Sequence, residues 1–136
     1  MRMENGMLLR LVFAVTLLVA SGCGAAMAAG DPVAGEKVFL VCKTCHQIGE
    51  GAKNGVGPEQ NGLVGRKAGS VEGYNYTDAN KNSGIVWTED KLKEYLQDPK
   101  KMIPGTKMVF AGLKDEQKID DVIAYLKQFG PDGKKK

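Results

Sequence analysis

Five consecutive residues, Cys42-Lys43-Thr44-Cys45-His46, constrain this chain more than any other feature of its sequence. Two thiols separated by two residues and followed at once by a histidine form the attachment signal of a c-type haem. Each cysteine sulfur can add to one vinyl group of the porphyrin, and the imidazole of His46 then falls under the ring, where it can bind iron. We therefore expect the rest of the chain to wrap around one haem held covalently by Cys42 and Cys45.

Two other kinds of site use a Cys-x-x-Cys pair. A thioredoxin-like dithiol usually lies beside a β-α-β pattern, and a structural zinc ion takes four nitrogen or sulfur ligands. His46 is the only histidine in the chain, and the only other cysteine, Cys23, falls in a segment expected to be removed. The mature chain would offer zinc only three soft ligands, which favours haem over a thiol oxidoreductase or a zinc module.

The 136 residues divide into a leader, one domain and a tail. Residues 1–29 have the features of a secretory signal peptide, with an apolar core over 11–20 and an A-x-A cleavage pattern at Ala26-Met27-Ala28. Cleavage and export to the periplasm agree with the haem interpretation, because covalent attachment is completed outside the bacterial cytoplasm. The domain is expected over 30–130 and a lysine-rich tail over 131–136, whose last three residues, all lysine, are expected to be solvated and disordered.

Three amphipathic segments predict helices. Asp31-Pro32 supplies the N-cap and first-turn residues of a helix that leads into the cysteine pair, with Gly35 and Phe39 on one face. A second helix should begin at Thr88 and end at Asp98-Pro99, before a loop over 100–110. A third should begin after Asp115, where apolar residues recur at helical spacing. The sequence predicts an all-α fold in which the first and last helices pack together.

The segments between these helices carry the other candidate cofactor contacts. The glycine-rich stretch from Gly49 to Gly73 is expected to be a loop that bends closely round a flat ring. Arg66, the only arginine after the leader, would suit a haem propionate as partner. The indole N–H of Trp87 needs a partner when buried, which could be a propionate or a backbone carbonyl.

A second ligand to the iron must come from a residue other than histidine. Thioether sulfur is the obvious choice, and Met102 and Met108 are both within reach by chain length. Pro104-Gly105 can turn the chain inward just before Met108. Local physics thus favours Met108 while leaving Met102 open. A nitrogen and a sulfur ligand together favour ferrous iron and raise the reduction potential.

These motifs together resemble class I cytochrome c, the monohaem type, in its mitochondrial-like bacterial branch. The likeness runs from Asp31 to Phe129 and includes, besides Cys42–His46, the segments 62–67, 73–80, 103–108 and 122–126. It implies the cytochrome c fold, with three to five helices and glycine-rich loops around one covalent haem. It also implies that Met108 is the second axial ligand and that Met102 lies where many relatives carry tyrosine.

The resemblance extends to residues around the ring. It implies that the carbonyl of Pro58 holds the ring of His46, and that Tyr95 and Thr106 lie near the methionine ligand. It implies further contacts with the propionates and the inner haem edge from Arg66, Tyr76, Thr77, Asn80 and Trp87.

The implied function is that of a soluble electron carrier in a respiratory or photosynthetic chain, and not an enzyme. Two filled axial positions leave no place for a substrate, whereas a haem enzyme or gas binder would need an open iron site. The expected partners are a bc1-type reductase and a terminal oxidase or photosynthetic reaction centre, reached by a monomer through Lys43, Lys53, Lys100, Lys101 and Lys107. The formal net charge of +3 gives no reason to expect nucleic acid.

Overall fold

The computed structural model describes residues 29–136, so the predicted signal peptide, apart from Ala29, lies outside the described residues. Within this range the chain forms five helices: α1 (Pro32–Phe39), α2 (Asp78–Lys81), α3 (Glu89–Gln97), α4 (Pro99–Met102) and α5 (Glu116–Lys127). The only extended pairings among residues 29–136 are two isolated bridges, Lys67 with Val86 and Phe129 with Lys135. The predicted all-α class with three to five helices is confirmed.

Side-chain oxygens mark where the helices begin. The carboxylate of Asp31 accepts a hydrogen bond from the N–H of Val33 at 2.8 Å, and Pro32 follows in the first helical position. Thr88 and Asp115 cap α3 and α5 in the same way, at the positions that the sequence predicts. These caps set the entry points of the helices and so the directions in which they leave the loops.

The segment after α3 differs from its prediction. We expected a loop from residue 100 onward, but Pro99–Met102 form the short helix α4. Asp98 both ends α3 and caps α4, because its side chain accepts a hydrogen bond from the N–H of Lys101 at 3.1 Å. An aspartate followed by a proline can begin a helix as well as end one, and the sequence predicts only the end of α3 here.

The first and last helices pack together, as predicted. A Cβ atom placed on Gly35 would lie 1.9 Å from the carbonyl oxygen of Asp121, so α1 contacts the backbone of α5 directly. The rings of Phe39 and Tyr125 lie beside this contact with their centroids 5.3 Å apart. The buried carboxylate of Asp121 also accepts a hydrogen bond from the N–H of Asp31 at 2.8 Å, which fixes the start of α1 on α5.

The C-terminal tail is folded, in contrast to the disorder expected for it. Beyond α5 the chain turns back through Gly133, which has a φ of 77°. The N–H of Lys136 donates to the carbonyl of Gln128 at 2.8 Å, and Gly130 donates to Lys134 at 2.9 Å. The tail thus supplies a donor to the carbonyl of Gln128 at the end of α5 and an acceptor for the N–H of Gly130, which a solvated extension would leave to water.

Of the helices between residues 29 and 136, none combines the length and apolar character that crossing a bilayer requires.

Candidate haem site

The Cys42–His46 motif continues the hydrogen bonding of α1 past the end of that helix. The N–H of Cys42 donates to the carbonyl of Phe39 at 2.8 Å, and the N–H of His46 donates to the carbonyl of Cys42 at 2.9 Å. These helical turns hold the side chains of Cys42, Cys45 and His46 so that all three line one cavity. The placement of the motif therefore follows from where α1 is anchored on α5.

The same cavity collects every residue that the resemblance implies for the cofactor, while Met102, the other candidate from the sequence, does not line it. Its walls are mainly apolar and include Phe39 from α1, Leu92 and Leu96 from α3, and Leu126 from α5. They also include the whole predicted second set of contacts, namely Pro58, Arg66, Tyr76, Thr77, Asn80, Trp87, Tyr95, Thr106 and Met108. A flat apolar ring with two carboxylates fits a lining of this kind, which is apolar with a few grouped polar side chains.

The ring of His46 is held in one orientation by backbone groups. Its Nδ1 lies 2.8 Å from the carbonyl oxygen of Pro58, so Nδ1 carries the proton and donates it. A Cβ atom on Gly57 would lie 2.2 Å from Cε1 of the imidazole ring, so any residue larger than glycine would collide with the ring. Burial lowers the pKa of His46, and the nearby Arg66 guanidinium lowers it further, although the Pro58 carbonyl opposes this. A lowered pKa favours the neutral imidazole, and a proton on Nδ1 leaves Nε2 available to a metal.

Cys42 lacks the lowered pKa that a redox-active cysteine has. Burial, with a further contribution from Cys45, raises the pKa of Cys42 to about 11, whereas reactive Cys-x-x-Cys motifs have a thiol with a lowered pKa. Within residues 29–136 no three side chains of His, Cys, Asp or Glu converge as a metal-binding group. The two thiols suit attachment to a cofactor better than they suit disulfide exchange.

Arg66 has a partner that the sequence did not suggest. Its Nη1 lies 3.3 Å from Oε1 of Glu59 and donates to the carbonyl of Asn61 at 2.8 Å, while Nη2 donates to the carbonyl of Glu59 at 3.1 Å. The guanidinium is therefore fixed by the protein itself at the wall of the cavity. A propionate would join this existing network as an additional partner.

The structure distinguishes the two candidate methionines. Both methionines pack against the hydrophobic core, but only Met108 also lines the cavity. The backbone N–H of Met108 donates to the hydroxyl of Thr106 at 3.3 Å, and that hydroxyl lies 3.3 Å from the hydroxyl of Tyr95. Thr106 and Tyr95 thus link the methionine loop to α3.

A helical shell closed by its terminal helices, around a cavity that holds a Cys-x-x-Cys-His motif, defines the class of c-type cytochromes. The family model of Cytochrome c matches residues 32–130, and the chain belongs to this family. Proteins of the family are electron carriers that bind one haem c, with its iron, covalently.

Individual relatives agree with this assignment. The chain is 60% identical over 127 residues to cytochrome c2 of Blastochloris viridis, covering 93% of this chain and 98% of the relative. It is 59% identical over 107 residues to cytochrome c-550 of Nitrobacter winogradskyi, covering 79% of this chain and 98% of the relative. The solved structure of cytochrome cH from Methylobacterium extorquens has a TM-score of 0.69 and 54% identity, covering 73% of this chain and 99% of that one.

Proposed function

We propose that this protein carries single electrons between two larger redox complexes, with its haem attached through Cys42 and Cys45. We further propose that Nε2 of His46 and the sulfur of Met108 bind the iron. One observation supports this above the others: a single cavity is lined by both thiols, the only imidazole and one of the two candidate thioethers. Iron held in this way supplies reversible one-electron chemistry.

The roles of the chain's own residues follow from that arrangement. His46 and Met108 would together hold the iron and would leave no coordination position for a substrate, which favours a carrier over an enzyme. The thioether of Met108 and the burial of the site both disfavour the additional charge of ferric iron and so raise the potential. Because backbone contacts fix the ring of His46, its position changes little between the two oxidation states.

The polar residues in the cavity wall are proposed to hold the propionates. Arg66 offers a fixed guanidinium, and Trp87, which is buried against Tyr95, offers an indole N–H. The hydroxyl of Thr77 donates to Oδ1 of Asn80 at 3.0 Å, and the amide N–H groups of Asn80, which lines the same cavity, would donate to an anion. Tyr76 lines the same cavity and is the remaining proposed contact.

Acid-acetone extraction followed by a reduced-minus-oxidised spectrum tests the proposal directly. The pigment should stay with the polypeptide, because thioether bonds survive the extraction. The native ferric protein should show the near-infrared band of sulfur–iron ligation. A polypeptide that becomes colourless on extraction, or titratable free thiols at Cys42 and Cys45 in the purified native protein, would refute covalent attachment.

Exposed apolar and basic side chains together suggest how partners dock. Val41, Val56 and Val109 line the cavity yet are 57%, 75% and 92% exposed. The proposed docking lysines are also exposed: Lys43, Lys53, Lys100, Lys101 and Lys107. We propose that acidic patches on a bc1-type reductase and on an oxidase or reaction centre are attracted by the lysines and then contact the valines. The proposed compartment is the periplasm.

Charge reversal at the motif tests this docking surface. Lys43→Glu should slow electron transfer to a membrane-bound oxidase by about threefold to tenfold at low ionic strength, because long-range attraction sets the encounter rate. The difference should shrink as salt is added. Lys118→Glu, an equal change in net charge on the exposed face of α5, is the control and should have a much smaller effect. Stopped-flow rates that do not vary with ionic strength would contradict the proposal.

A further inference from the structure

Gln60 is a buried polar residue that the cofactor contacts described above do not explain. Its side chain is only 9% exposed and lines the cavity. Its terminal amide lies 2.8 Å from Nδ1 of His46 and 3.2 Å from the carbonyl oxygen of Pro58. The imidazole nitrogen that faces away from the proposed iron position therefore has two neighbours, a backbone carbonyl and a side-chain amide.

The backbone explains why Gln60 reaches His46 when its neighbours do not. The N–H of Gln60 donates to the carbonyl of Gln47 at 2.9 Å, and this bond fixes Gln60 beside the residue that follows His46 in the chain. Glu59, before it, pairs with Arg66, and the amide of Asn61, after it, pairs with the backbone of Gly49. Of these three consecutive polar side chains, Gln60 alone contacts the imidazole.

The hydrogen-bond chemistry of His46 decides which atom of the amide faces it. If Nε2 of His46 binds iron, Nδ1 carries a proton and can only donate. An amide NH2 group 2.8 Å from an N–H donor would be repulsive, whereas rotation about the last side-chain bond of Gln60 exchanges its nitrogen and oxygen. The contact to His46 is the shorter of the two, so we assign Oε1 of Gln60 to the side of His46, an orientation that gives up the hydrogen bond from the amide nitrogen to the carbonyl of Pro58.

We propose that Gln60 is a positioning residue for His46, with its Oε1 accepting the Nδ1 proton alongside the carbonyl of Pro58. This inference rests on the axial role proposed for His46 above. Partners of the non-ligating nitrogen orient a metal-bound imidazole and raise its basicity. A second acceptor makes His46 a stronger electron donor, stabilises ferric iron and lowers the reduction potential.

Substitutions that keep the shape of Gln60 isolate the hydrogen bond. Gln60→Met has nearly the same length and flexibility but offers no comparable acceptor, so its midpoint potential should rise. We expect at least a threefold shift in the one-electron equilibrium, or about 28 mV at 59 mV per tenfold. The Nδ1 proton of His46 in the ferrous protein should move upfield in the NMR spectrum. Gln60→Glu keeps an acceptor at the same place and should lower the potential.

The control is Gln47→Met, because the side chain of Gln47 accepts from the N–H of Lys53 at 3.0 Å and lies on the exposed side of the loop. Its potential should equal that of the natural protein. An unchanged potential in Gln60→Met would overturn the inference, and a lowered one would show that the amide donates to Pro58 instead. All measurements use the haem-loaded protein, whose sulfur–iron band and covalent pigment report separately on the proposed function. The potential of Gln60→Met can therefore contradict this inference while the proposed function stands.

Discussion

Met108→Ala should abolish the near-infrared sulfur–iron band and lower the midpoint potential on the order of 100 mV or more. Axial-ligand identity sets haem potentials over a range of ~0.8 V, so losing the thioether should be among the largest changes a single residue can produce here. Thioether sulfur stabilises ferrous iron, whereas water or a vacant position does not. Absorption spectra and a redox titration of the purified variant measure both effects.

Met102→Leu is the matched control, because Met102 packs against the core and does not line the cavity. It should retain the band and the potential. Met108→Ala should also acquire rapid binding of carbon monoxide in the ferrous state, since the variant has an open position that the natural protein lacks. A Met108→Ala protein that keeps the band would overturn the ligand assignment, and a Met102→Leu protein that loses it would transfer that role to Met102.

The distinction between these methionines shows where reasoning from the sequence ends. Cys42, Cys45 and His46 are adjacent in the chain, so local spacing alone predicts their common role. Met102 and Met108 have the same chemistry, and only the path of the chain separates them. The short helix α4, which was not predicted, ends at Met102 and holds that residue outside the cavity that Met108 lines.

Gln60 and Glu59 were missed for a related physical reason. Their partners, His46 and Arg66, are 14 and 7 residues away, and the contacts depend on how an irregular loop returns to the motif. Loops of this kind have no periodicity from which a facing side chain can be inferred. The helix caps at Asp31, Thr88 and Asp115 were predictable because a cap involves only neighbouring residues.

The folded tail is a third case. A run of three lysines at a chain terminus suggests a solvated segment, but the preceding Gly130-Pro131-Asp132-Gly133 allows a tight turn. The turn returns the backbone to the end of α5, and Nζ of Lys135 lies 5.5 Å from the ring centroid of Phe129. A prediction from charge composition alone neglects this turn and the unsatisfied carbonyls at a helix end.

Gly35→Ala should lower the free energy of unfolding by at least about 3 kcal/mol, the upper part of the range for overpacked sites. Alanine is the better helix former by about 1 kcal/mol, so an uncrowded position would gain stability from the same change. Here the new Cβ would lie 1.9 Å from the carbonyl oxygen of Asp121 and 2.9 Å from Cβ of Tyr125. A backbone carbonyl on a helix cannot rotate away, so α1 must separate from α5. This separation weakens the hydrogen bond from the N–H of Asp31 to the carboxylate of Asp121.

Guanidinium unfolding followed through Trp87, the only tryptophan, measures this loss. Gly51→Ala is the control, because a Cβ there meets nothing within 4 Å. The positive φ of 74° at Gly51 should by itself lower the free energy of unfolding of the alanine variant by about 1 kcal/mol. Because α1 leads directly into Cys42–His46, separating it from α5 should also reduce the yield of haem-loaded protein. Equal destabilisation of the two variants would show that the contact between the terminal helices yields easily, and that the haem motif is positioned by something other than α5.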